Sequence, residues 1–114
     1  MAVQKWDDET FVVTLGDDPA LSEDIGEIMA RLRGKCCDVV LDLSELGHLT
    51  SSGISKLLRL RKHQLDHGRR LILCAPTDRV WSVFLATGLD SIFVVAEAVS
   101  DALAHLKSNR RTGD

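Results

Sequence analysis

Leu41-Asp42-Leu43-Ser44-Glu45-Leu46-Gly47-His48-Leu49-Thr50-Ser51-Ser52-Gly53 is the stretch on which the fold turns. With Val39 and Val40 before it, it begins as a β-branched and aliphatic run between turn-forming residues, the pattern of a buried strand. It then crosses a short loop and reaches Ser-Ser-Gly just ahead of a helical pattern. Ser51 or Ser52 is placed to cap that helix, its hydroxyl accepting from backbone N–H groups that otherwise lack partners. Gly53 lets another backbone approach closely. In open α/β sheets, ligands and partners meet the fold beyond the carboxyl ends of the strands, so function is sought first at this junction.

Outward from the junction, strand and helix patterns alternate. Downstream, Ile54, Leu57, Leu58 and Leu65 predict a helix with one apolar face, and Arg61 falls inside that stripe with only its alkyl stem to lay there. Leu71–Ala75 and Ile92–Val95 read as two further strands. Between them Pro76-Thr77-Asp78 opens a helix with Val80, Trp81, Phe84 and Leu85 inward, closed by Gly88. Val99, Ala102, Leu103 and Leu106 mark a last helix. Upstream, residues 3–15 suit a hairpin, with Asp7, Asp8 and Glu9 between its apolar halves. Asp17-Asp18-Pro19 then supplies a cap and a first-turn proline for a helix on Leu21, Ile25, Ile28, Met29 and Leu32, stopped near Gly34. This alternation predicts an α/β domain with a largely parallel or mixed sheet.

The chain has 114 residues, 45% of them hydrophobic, enough for one core. One domain over residues 1–107 is expected, with a flexible polar tail at 108–114. The formal charge of -3 argues against a nucleic-acid partner, as do only five aromatic residues and the lack of a recognition motif. The charge is unevenly spread: residues 1–50 hold 11 acids and 4 bases, residues 51–114 hold 6 acids and 10 bases. Lys56, Arg59, Arg61, Lys62, Arg69 and Arg70 make the helix after Ser52 basic, either a solvated face or one that steers an acidic partner. Cys36, Cys37 and Cys74 are odd in number and lack metal spacing, so reduced thiols in a cytoplasmic protein and no metal are expected. No leader-like start or 18-residue apolar run predicts export or membrane insertion.

The Asp-Leu-Ser strand end, the Ser-Ser-Gly helix start, Gly-Arg-Arg-Leu-Ile-Leu at 68–73 and Phe-Leu-Ala-Thr-Gly-Leu-Asp-Ser-Ile-Phe at 84–93 occur in an order that resembles the STAS domain family, and within it the anti-sigma factor antagonists. The resemblance spans nearly the whole chain. It implies a mixed sheet of about four to five strands with about four helices packed against it, in a monomer or weak homodimer. It also implies a bacterial partner-switching role in transcription regulation. The unmodified domain binds an anti-sigma factor or serine-protein kinase, phosphorylation ends that binding, and a phosphatase restores it. Carried onto this sequence, the phosphorylated serine is Ser52, with Thr50 and Ser51 as alternative acceptors. Ser44, His48, Thr50, Ser51, Ser52, Gly53, Ser55, Lys56 and Arg59 form the expected partner surface. ATP belongs to the kinase, so no cofactor is expected. Thr50 departs from the family pattern, which usually has Asp two residues before the serine. Another branch lacks the switch and serves as an adaptor in lipid transporters or signalling scaffolds, and this is the alternative reading.

Catalysis is not expected. Asp42 and His48 beside Ser52 suggest an acid/base pair, but the nucleophile-elbow pattern is missing, and so is a phosphate-binding Gly-rich loop.

Overall fold

Odd- and even-numbered residues of the central strands enter two different cores, because successive side chains of a strand point to opposite faces. The computed structural model describes the backbone of residues 3–113 and the side chains of residues 3–107. Five strands form one sheet in sequence order: β1 (Val3–Asp7), β2 (Thr10–Gly16), β3 (Asp38–Glu45), β4 (Leu71–Cys74) and β5 (Val94–Ala96). β1 pairs antiparallel with β2, and all later neighbours are parallel. The sheet is therefore mixed, as expected.

Phe11, Val13, Leu15, Val39, Leu41, Leu43 and Leu73 face helices α1 (Ala20–Gly34), α2 (Ser51–Asp66) and α3 (Asp78–Thr87). Val12, Val40, Ile72 and Cys74 face α4 (Val99–Gly113), which buries Ala102 and Leu106 against them. Burying each large aliphatic side chain contributes about 1.5–3 kcal/mol, and Leu41 and Leu43 are fully buried in the middle strand. The backbone of α4 continues as helix beyond Lys107 to Gly113, so the expected tail has no helix boundary at its start; Asp114 lies outside the described residues.

Several boundaries and faces differ from the sequence expectation. The fifth strand begins at Val94, not Ile92. Leu89–Ser91 forms a single 3-10 turn, and the amides of Ile92 and Phe93 both donate to Leu89 O, which removes them from the ladder. In α3, Val80 and Phe84 are buried while Leu85, about 100° further round, is 55% exposed rather than inward. Gly88 closes α3 in the left-handed conformation at φ 79°, where glycine lacks the steric penalty of a Cβ.

Helix α2 turns a different face from the expected one. Its buried residues are Gly53, Leu57, Leu60 and Gln64, whereas Leu58 and Leu65 are exposed. Gly53 fits because a Cβ there would meet Leu49 Cδ1 at 3.2 Å and Leu21 Cδ1 at 3.6 Å. Gln64 fits because its amide donates to Cys37 O at 2.7 Å and Arg70 O at 2.8 Å. A buried amide with both donors satisfied carries little of the usual desolvation cost.

Candidate functional site

Because β2 to β5 run parallel, the loops after them gather at one end of the sheet. The loop from β3 to α2 is held there from two sides. Asp17, after β2, accepts from the amides of Gly47 at 2.8 Å and His48 at 2.9 Å. Thr77, after β4, donates its hydroxyl to Leu46 O at 3.2 Å. Arg79 on α3 adds a contact to His48 Nδ1 at 3.1 Å. The two backbone hydrogen bonds, from His48 first and then Gly47, hold the Asp17 carboxyl below its ordinary value, and the nearby His48 and Arg79 add to this. Asp17 thus anchors the neighbouring loop instead of capping α1, whose N-cap residue is Pro19.

At the start of α2 the cap is Thr50, not Ser51 or Ser52. Its hydroxyl accepts from the Gly53 amide at 3.0 Å from an extended backbone, the geometry of an N-cap. Asp and Thr are both capping residues, so threonine at this position keeps the helix start intact. Ser51 and Ser52 follow as the first two helical residues, both exposed. The Ser52 hydroxyl accepts from Lys56 Nζ, one turn on, at 2.8 Å. Gly53 is buried against Leu49 and Thr50, so the room it leaves is filled by its own chain rather than by a partner.

The structure brings Thr50, Ser51, Ser52 and Ser55 together as exposed residues of the α2 start, with Lys56 half-buried and Arg59 exposed further along. Ser44 and His48 are exposed in the loop before it. Asp42 and His48 do not form an acid/base pair. The Asp42 carboxylate accepts from the Ser44 amide at 2.9 Å, and the His48 ring faces a guanidinium. Among the described residues no group of histidine, cysteine and carboxylate side chains is arranged to hold a metal ion. Among the described residues no helix is long and apolar enough to cross a membrane.

Linear reading missed Asp17, Thr77 and Arg79. Their only sequence signal was position: each lies at or just after the carboxyl end of a strand neighbouring β3, where parallel pairing brings loops side by side.

Residues 5–102 match the STAS domain family. Among solved structures, an RsbS variant from Moorella thermoacetica is similar with TM-score 0.80 and 20% identity, over 96% of each chain. The anti-sigma factor antagonist SpoIIAA in its unphosphorylated form gives 0.77 and 20% over 98% of this chain and 96% of its own. The Bacillus cell fate determinant SpoIIAA in its phosphorylated form gives 0.72 and 20% over 90% and 96%. At these identities the likeness is one of fold. The family match over residues 5–102, together with the five-stranded mixed sheet and its four helices, makes this chain a member of the STAS domain family.

Proposed function

We propose that this chain is the antagonist of a partner switch. Unmodified, it binds an anti-sigma factor or related serine kinase through the β3–α2 loop and the first turns of α2; phosphorylated on Ser52, it lets that partner go. The observation that carries this reading is the placement of Ser52. Its side chain is exposed on the first turn of a helix whose own N-cap is Thr50 and whose preceding loop is tied down by Asp17 and Thr77. A kinase can therefore reach the hydroxyl, and the added charge falls on a contact surface without disturbing the core. That SpoIIAA, with the same fold, exists in unphosphorylated and phosphorylated forms supports the reading.

The reaction moves the γ-phosphoryl group of ATP, bound by the kinase, onto Ser52 Oγ. The Oγ–P bond forms, the bond to ADP breaks, and the hydroxyl proton passes to a base on the kinase. Of the two alternative acceptors, Thr50 is disfavoured because its hydroxyl is the N-cap of α2, and a phosphoryl group there would disturb the bond from the Gly53 amide that starts the helix. Ser51 is exposed like Ser52, and the family resemblance, through the position next to Gly53, ranks Ser52 above it. His48, held by Asp17 and facing Arg79, belongs to the same contact surface, as do the basic residues Lys56 and Arg59 on α2.

Pull-down from the native cell with wild type and with Ser52→Asp, followed by identification of the bound proteins, tests the proposal. Wild type is expected to retain a serine kinase of the anti-sigma class that Ser52→Asp retains poorly. Equal recovery of a transporter ATPase by both would replace the switch with an adaptor role.

A further inference from the structure

Some cations of the described chain are neutralised by a neighbouring carboxylate and others are not. Lys5, Arg31, Lys62 and Arg69 each lie within salt-bridge distance of a carboxylate. Lys56, Arg59 and Arg33 have no ion pair with a carboxylate among the described residues, yet all three line one groove of about 200 Å³ between α1 and α2. Its other lining residues are Ser22, Ile25, Gly26 and Met29, so no carboxylate lies among them. The groove is a cluster of positive charge with apolar walls and no anion of its own. Lys56 joins it to the switch, because this residue lines the groove and its Nζ donates to Ser52 Oγ at 2.8 Å.

We propose that this α1–α2 groove is an intramolecular anion site for the phosphoryl group on Ser52, with Lys56 as its primary ligand and Arg59 and Arg33 completing the positive field. The inference rests on the reading of Ser52 as the phosphorylated residue. Residues four apart on a helix share a face, so the ammonium already at the hydroxyl meets the phosphoryl oxygens without a change of backbone. An ion pair between Lys56 and the phosphoryl oxygens replaces the hydrogen bond that its ammonium now makes to a neutral hydroxyl. The modification then acts in two ways. It adds negative charge at the helix start, and it occupies the cations that unmodified α2 offers to an acidic partner.

The test installs phosphoserine at position 52 during translation, so that no kinase is needed, and follows its second ionisation by phosphorus NMR. That ionisation normally falls near pH 6. In the wild-type background it is expected about half a pH unit lower than in Lys56→Gln, with the difference shrinking as salt is raised. Lys56→Arg should keep the lower value, and circular dichroism should show all variants folded. The same titration in wild type and Lys56→Gln overturns the proposal. Kinase labelling separates the two claims: a kinase that leaves Ser52 unmodified removes the switch, whereas the Lys56-dependent ionisation reads the groove alone.

Discussion

The Asp17 carboxylate accepts a hydrogen bond from the backbone of His48, thirty-one residues further along the chain, at 2.9 Å. With the adjoining bond from Gly47, it converts two otherwise free loop amides into a fixed anchor. The loop that carries the proposed switch is thereby positioned from a different βα connection. The space is tight as well, since a Cβ on Gly47 would lie 3.2 Å from Asp17 Oδ2.

The pH dependence of this anchor follows from the direction of the Asp17 shift. Its folded value lies below the ordinary 3.8, so the carboxylate contributes stability above that value, and the contribution is lost as pH falls through the folded one. The Gly47 and His48 amide resonances should therefore titrate together with a midpoint below 3.8, and Asp17→Asn should abolish that titration. A midpoint at or above 3.8 would show that the bonds are not kept in solution.

Thr50, not Ser52, stabilises the start of α2. Thr50→Ala should cost about 0.5–2 kcal/mol in urea unfolding, whereas Thr50→Asp should restore most of the loss by supplying another capping oxygen. Ser52→Ala, at an exposed position that caps nothing, should stay within about 0.5 kcal/mol of wild type. Equal losses for Thr50→Ala and Ser52→Ala would place the cap elsewhere.

Gln64 is 1% exposed and ties α2 to the chain before β3 and to the chain before β4. Gln64→Leu keeps the side-chain volume similar but leaves the carbonyls of Cys37 and Arg70 without this donor. A loss of about 1–3 kcal/mol is expected in denaturant unfolding, more than Leu58→Gln on the exposed face of the same helix should cause. Near-neutral Gln64→Leu would mean that water takes over the Cys37 carbonyl and that the Val39 amide suffices for Arg70 O.

Much of the architecture was legible because hydrophobic period and turn residues agree. β3, α1 and the Gly88 stop follow directly from runs and spacings that admit one interpretation. The face of α2 was not legible, since its apolar residues outnumber the places facing the sheet. Gly53 and Gln64 select the face, one by allowing close approach and the other by satisfying two carbonyls, and neither reads as core by residue type. The candidate site was legible as a position along the chain but not as an assembly. The Asp17, Thr77 and Arg79 contacts depend on which strands become neighbours, and the Thr50 cap depends on a one-residue choice among three adjacent hydroxyl residues.

The three cysteines are free thiols in very different surroundings. Burial, the leading cause, pushes the Cys74 thiol up to about 12, and burial also raises Cys37. A protonated, enclosed thiol is a poor nucleophile, so alkylation of the native protein at neutral pH should begin at Cys36. All three should react after unfolding under non-reducing conditions. Rapid native labelling of Cys74 would contradict the closed core between the sheet and α4.

Phosphate mapping on the unmodified wild-type chain tests the central claim most directly. The protein is incubated with its cognate kinase and ATP, alongside Ser51→Ala, Ser52→Ala and Thr50→Ala, and the modified residue is located by peptide mass spectrometry. Phosphate is expected on Ser52 in wild type and Ser51→Ala, and none on Ser52→Ala. Phosphate on Thr50 or Ser51 in wild type, or on no residue at all, would contradict it.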